Sequence, residues 1–216
     1  MTRPRFDRRR SGTSRRRGVS RPRKATILIV CEGKETERNY FDQLKRDEPA
    51  RQRFSIKVKR GRGGSRQQIA QFAVDRKNDI GADYDQVWCV MDVESPQTLD
   101  EMQEALDLLK AESISPALSN PAFEVWLLAH FERTGTGFLN CDAVIARLNK
   151  HWQRHFSTDY DKGDGRIYQR LAPSTDQAIT NAKWVREQHH TNDCIIHCNS
   201  ATDVYRLVGI LRGTPV

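Results

Sequence analysis

No stretch of this chain approaches the roughly 18 consecutive apolar residues of a membrane-spanning helix. The apolar run Ile27–Cys31 is also too short for the core of a secretory signal, so the expectation is a soluble, cytoplasmic protein with no membrane partner. Disulfide scaffolding is excluded next, because the five cysteines are odd in number and not spaced as a framework. Cys31 and Cys89 fall in apolar runs, where a thiol behaves as a small hydrophobe. Cys194, His197 and Cys198 lack the second ligand pair that a structural zinc site needs. His151 and His155 share a helix face, but Trp152 stands where a zinc metalloprotease helix has its glutamate. Both groups therefore read as structural. The chain also lacks a phosphate loop of Walker type, since the first glycine of that motif would fall at Leu28 and Glu35 follows Lys34 in place of Ser or Thr. Gly61-Arg62-Gly63-Gly64 is no dinucleotide fingerprint either; it is a basic turn that could touch phosphate. Internal repeats are absent.

What is present in excess is positive charge, and it is localised. The formal net charge of the 216 residues is +8, yet residues 1–24 hold 11 of the 36 Lys and Arg and one of the 28 acids. The rest of the chain carries 25 basic against 27 acidic residues and is close to neutral. With one aromatic, Phe6, the first 24 residues have too little to bury to offset the entropy of ordering, and a disordered basic tail is expected ahead of a domain over 25–216. Arg8, Arg9, Arg10, Arg15, Arg16 and Arg17 are candidates for contact with nucleic-acid phosphates. A solvated basic terminus is the alternative.

The periodicity beyond the tail alternates between two kinds. Thr26–Cys31 and Gln86–Met91 are apolar and nearly uncharged, which suits strands buried on both faces of a parallel sheet. Phe54–Lys59 alternates as a half-exposed strand does, and Ile114–Leu118 is a further strand that Pro116 pushes towards an edge. Helices are expected from Thr36 to Arg46, from Ser65 to Asn78 with a Ser65/Gln68 capping box, and after Thr98 with Glu101. Another is expected from Asn120, as N-cap with Pro121 at the first helical position, through Phe131. Three more should span about 141–156, 174–189 and 202–212. Strands alternating with helices, then helices alone, make an α/β fold: a mostly parallel sheet flanked by helices, with a helical C-terminal elaboration.

Acidic residues stand where two of the apolar runs end. Glu32 follows the first and Asp92 the third, with Glu94 two positions on, so an extended backbone points Asp92 and Glu94 to one side. Open α/β sheets bind ligands beyond the carboxyl ends of their strands. Carboxylates converging there can hold Mg²⁺, which takes one or two direct carboxylates, several waters and substrate phosphate. Lys34, in the turn after Glu32, could contact phosphate as a point charge. Glu124, early in the apolar helix, is either a dipole-complementing acid or a fourth carboxylate of the same site.

Several segments together resemble a known family. Val30-Cys31-Glu32-Gly33-Lys34-Glu35-Thr36-Glu37 with Tyr40-Phe41, Tyr84–Glu94, and above all Ser119-Asn120-Pro121-Ala122-Phe123-Glu124-Val125-Trp126-Leu127-Leu128-Ala129-His130-Phe131 are similar to the motifs of RloB-like proteins. Tyr160-Asp161-Lys162 and Ser200–Val208 are weaker echoes. The resemblance runs from about residue 26 to 212. It implies a TOPRIM-like fold, in which a glutamate and a DxD pair bind Mg²⁺ for phosphodiester chemistry. Here Glu32 takes the glutamate role, and Asp92 and Glu94 the pair, with Glu94 departing from the usual aspartate. Mn²⁺ is an alternative cation. The resemblance further implies a nuclease acting on DNA or RNA in antiviral defence, often beside an ATPase of the ABC/SMC type, with Glu32, Asp92, Glu94 and Glu124 as catalytic candidates. A binding or sensing module that has kept the fold and lost turnover is the competing expectation.

Overall fold

In the computed structural model the described residues are 23–62, 64–94, 99–189 and 195–215; Arg8–Arg17 and Thr98 lie outside them. Four strands, β1 (Ala25–Cys31), β2 (Phe54–Arg60), β3 (Gln86–Asp92) and β4 (Ser115–Ser119), form one all-parallel sheet in the order β2-β1-β3-β4. The two central strands are the two apolar runs. Burial on both faces is what their lack of charge requires. Pro116 sits in β4, an edge strand, where its missing N–H costs no ladder bond on the open side.

Alternation along β1 sends side chains to two separate cores. Ile27, Ile29 and Cys31, with Trp88 and Val90, pack under α1 (Thr36–Leu44) and the C-terminal helices. Leu28 and Val30, with Val87, Cys89 and Met91, pack under α3 (Arg66–Lys77) and α4 (Leu99–Ala111). A short helix, α2 (Glu48–Arg53), leads into β2. The Ser65/Gln68 capping box is formed: the Ser65 hydroxyl accepts from Gln68 N at 3.3 Å, and Gln68 Oε1 accepts from Ser65 N at 3.3 Å. The remaining helices are α5 (Glu124–Leu128), α6 (Cys141–Phe156), α7 (Ile167–Leu171), α8 (Thr175–Gln188) and α9 (Val204–Arg212). They gather on the Ile27/Ile29 face around Trp126 and Trp152, both buried. Among the described residues no helix is long and apolar enough to cross a membrane.

The Asn120–Pro121 segment corrects one expectation. The Asn120–Pro121 peptide is cis, and the helix begins at Glu124 and ends at Leu128. Asn120 caps nothing, because its side-chain amide donates to the carbonyls of Ile195 and Ile196 at 3.1 and 3.0 Å. The backbone here is held by a clasp. Asn120 N donates to Ala201 O, Ser200 N to Asn120 O and Asp203 N to Leu118 O, all within 2.9 Å. The hydroxyls of Ser119 and Thr202 meet at 2.8 Å. On the other side, Val93 N and Glu94 N donate to Ser119 O and Pro121 O. The exit of β3, the end of β4 and the start of α9 are thereby fastened to one another.

Candidate functional site

β1 and β3 are neighbouring parallel strands, so Glu32, one residue past β1, and Asp92, the last residue of β3, emerge side by side. Glu32 N donates to Val90 O at 3.0 Å, and the Glu32 carboxylate accepts from Asp92 N through Oε2 at 3.0 Å. Beyond them opens a cleft of about 320 Å³, lined by the Gly33–Glu37 turn, Asp92, Phe123, Glu124 and Lys162. Its acids come from three elements. Asp92 is partly buried, and its Oδ1 is enclosed without a hydrogen-bond partner. Glu37, in the first turn of α1, is buried and accepts from Gly33 N through Oε1 at 3.0 Å. Glu124, buried at the start of α5, accepts the Tyr160 hydroxyl proton at 3.0 Å on Oε1 and lies 3.4 Å from Lys162 Nζ. The Cys141 thiol is 3.6 Å from Glu124 Oε2.

Gly33 leaves the room that the Glu37 carboxylate fills. A Cβ built there would lie 1.9 Å from Glu37 Oε2, so any side chain would displace that carboxylate. The turn thus brings the first acid of the motif and the last together.

Crowded, desolvated carboxylates resist ionisation. Burial raises the Asp92 carboxyl well above its ordinary range, and Glu37, Glu124, Glu32 and Glu94 add to this. Burial also lifts Glu37, to about 7, with repulsion from Glu124 and Glu32 adding to it and the Gly33 N–H opposing. Glu32 is raised by burial against the opposing pull of the Asp92 N–H and Arg66. Burial and then Glu124 push the Cys141 thiol up to about 12, which leaves it protonated and unreactive at neutral pH. Lys162 loses some stabilisation of its charge to burial, yet Glu124 and Cys141 hold its ammonium above the ordinary lysine range.

The expected residues do not all converge. Glu32 and Asp92 stand at the ends of β1 and β3, Glu124 joins Asp92 in the cleft from the start of α5, and Lys34 is exposed at the cleft lining. Glu94 turns aside. Its φ of 58° breaks the extended backbone that would have carried it to the Asp92 side. Its carboxylate is exposed and pairs with Arg66 Nη2 at 2.8 Å. Arg66 is itself buried and also donates to the carbonyls of Asp92 and Val93 at 3.3 and 3.4 Å, so it braces the strand exit. Among the described residues, no three His, Cys, Asp or Glu side chains stand close enough together to hold a metal ion as they are oriented. The donor chemistry nonetheless fits a hard cation bound by one or two carboxylates with water completing the shell. All the acids offer oxygen, and Asp92 Oδ1 is an enclosed acceptor with nothing to accept from.

Sequence reasoning passed over Glu37, Tyr160, Lys162 and Arg66. Glu37 was visible as the third acid of the Glu32–Glu37 motif, and Tyr160 and Lys162 as the weak Tyr-Asp-Lys echo. Arg66 carried no signal beyond following a capping serine. His151 pairs with Glu132 at 2.8 Å and stacks on Phe131, and His155 lies against the same ring. Cys194 lies outside the described residues.

Compared with known proteins, residues 27–211 match the family model described as RloB-like protein. No curated protein and no solved structure matches the chain. The match spans all four strands but for the first two residues of β1, both cores and every acid of the cleft, and the chain belongs to the RloB-like family.

Proposed function

We propose that the chain is a Mg²⁺-dependent nuclease of TOPRIM type that cleaves the phosphodiester backbone of DNA or RNA. The observation that carries this reading is the enclosed, unpartnered Asp92 Oδ1 among Glu32, Glu37 and Glu124 at the carboxyl ends of parallel strands. Asp92 and Glu32 would hold the cation, Mg²⁺ or Mn²⁺, with Glu124 facing them across the cleft. Bound there, the cation would supply Lewis-acid neutralisation of the charge that develops on phosphate. Glu37 suits the role of general base. Its Oε1 accepts from Gly33 N–H, it lines the cleft, and a carboxyl near 7 is matched to neutral pH. Lys34 and Lys162 flank the cleft and can offset phosphate charge as the substrate enters. Tyr160 and Lys162 fix the orientation of Glu124.

Control by an ABC/SMC-type ATPase and a role in antiviral defence rest on the family resemblance, and a cytoplasmic setting rests on the sequence reading of its short apolar runs. Co-purification with such an ATPase and phage challenge of expressing cells test the first two. The competing reading, a binding module without turnover, is favoured by one observation: Glu94 is committed to Arg66 and not to the cleft. Incubating the full chain with labelled DNA and RNA in Mg²⁺, Mn²⁺ or chelator discriminates between them. The nuclease reading expects cleavage with either metal, none in chelator, and at least a hundredfold loss in Asp92→Asn. Absence of cleavage under every metal condition would falsify it and leave the binding module.

A further inference from the structure

A second surface adjoins the acidic cleft and carries the opposite charge. Arg38 of α1, Lys59 and Arg60 of β2, and Arg62 of the following turn line a groove of about 530 Å³, floored by Val58 and Gly61. We propose that this groove holds the sugar-phosphate backbone of the nucleic acid whose scissile bond enters the cleft, gripped chiefly by Lys59, Arg60 and Arg62. The proposal rests on the reading of the cleft as a phosphodiester site and names the surface that delivers the substrate to it.

Three observations support it. The cations are available: among the described residues Lys59, Arg60 and Arg62 are exposed and have no acidic partner, whereas Arg38 is shared with Asp42 at 3.4 Å. The groove is also built and not merely charged. Gly61 N donates to Cys31 O at 2.8 Å, and a Cβ at Gly61 would come within 3.0 Å of Ile69, so the turn is seated tightly on α3. Arg62 is steadied over the Phe72 ring at 5.9 Å, with Arg76 also on that ring at 5.1 Å. Finally, the groove and the cleft are lined by chain neighbours. Cys31, to which Gly61 is bonded, is followed by Glu32, and Glu37 and Arg38 are consecutive on α1, one in the cleft and one in the groove wall. An acidic cleft repels a polyanion, and cations on its flank offset that repulsion where the strand approaches.

The test uses the full chain in chelator, so that binding is read without turnover. Affinity for fluorescein-labelled single-stranded DNA, single-stranded RNA and duplex DNA is measured across a salt series from about 50 to 200 mM, where counterion release is most legible. The comparison is between wild type, a groove variant (Lys59→Gln, Arg60→Gln, Arg62→Gln) and a control of equal charge change on other exposed residues (Lys150→Gln, Arg154→Gln, Lys183→Gln). Each lost phosphate contact lowers the slope of log affinity against log salt by about 0.7–0.9, so the groove variant is expected to lose about 2 to 3 in slope, and the control nothing. The substrate whose slope falls most identifies the strand that is held. Equal slopes for wild type and groove variant, an equal fall in the control, or no binding by the wild type each overturn the proposal. A slope lost only in the groove variant supports it even if the wild type never cleaves, in which case the nuclease reading fails alone.

Discussion

Glu37 is an acid held against its own ionisation, and that has a measurable pH consequence. Its carboxyl stands near 7 in the folded chain against an ordinary value of 4.5. Between these values the folded form binds more protons than the unfolded one, so stability falls as pH rises across the window. In chelator, the melting temperature of the wild type should decline from about pH 4.5 to 7, and Asp92, raised in the same direction, should extend the decline upwards. Glu37→Gln keeps an oxygen for the Gly33 N–H and removes the titrating group. It should flatten the lower part of the curve and melt above the wild type at pH 8. A variant that melts lower than the wild type there would mean Glu37 is ionised at little cost. Gly33→Ala tests the same contact from the other side. The Glu37 carboxylate is the flexible end of a side chain, so the clash with a new Cβ should cost only about 1 kcal/mol in denaturant titration. The decline between pH 4.5 and 7 should become shallower with it, because a displaced Glu37 regains water while Asp92 and Glu32 keep their share. An unaltered pH profile in Gly33→Ala would show that the close approach is not needed.

At the level of elements, α3 depends on its cap and has little else at its start. The Ser65 side chain and the Gln68 side chain satisfy each other's backbone donors, and the next residue, Arg66, braces the exit of β3. Ser65→Ala should cost about 1 kcal/mol in chemical denaturation. It should also loosen the Arg66–Glu94 pair, visible as faster amide exchange at Val93 and Glu94. Elements of this kind were the legible ones. The capping box, the apolar runs of β1 and β3 and the edge position of β4 follow from local pattern, because each is dictated by neighbours in the chain. What stayed hidden depended on partners far away in sequence. Asn120-Pro121 has the composition of a helix start, yet the amide of Asn120 is drawn to carbonyls at 195 and 196. α2 and α7 are too short to show a helical period. Glu94 has the spacing of a metal ligand, and only the presence of Arg66 from α3 reveals why it points elsewhere.

For the molecule as a whole, charge is divided between a near-neutral body and its basic leading segment. Arg23 pairs with Asp83 at 2.6 Å and Lys24 Nζ reaches Arg51 O at 2.6 Å, so the last two residues of that segment touch the body. Deleting residues 1–22 removes nine basic residues and one acid. It should weaken nucleic-acid binding and flatten its salt dependence, while leaving the thermal midpoint unchanged, since these residues have little apolar surface to contribute. An unchanged salt slope after the deletion would assign all phosphate contact to the body.

The clasp between residues 118–120 and 200–203 also sets an order of events during synthesis. Asp92 and Glu124 are translated long before Thr202, but the β4 end that steadies both of them is closed by that late segment. A nascent chain therefore completes its acidic cleft last, after the strands and most helices have left the ribosome. A product terminated before residue 200 would keep every acid of the cleft and lack the hydrogen bonds that fasten the end of β4.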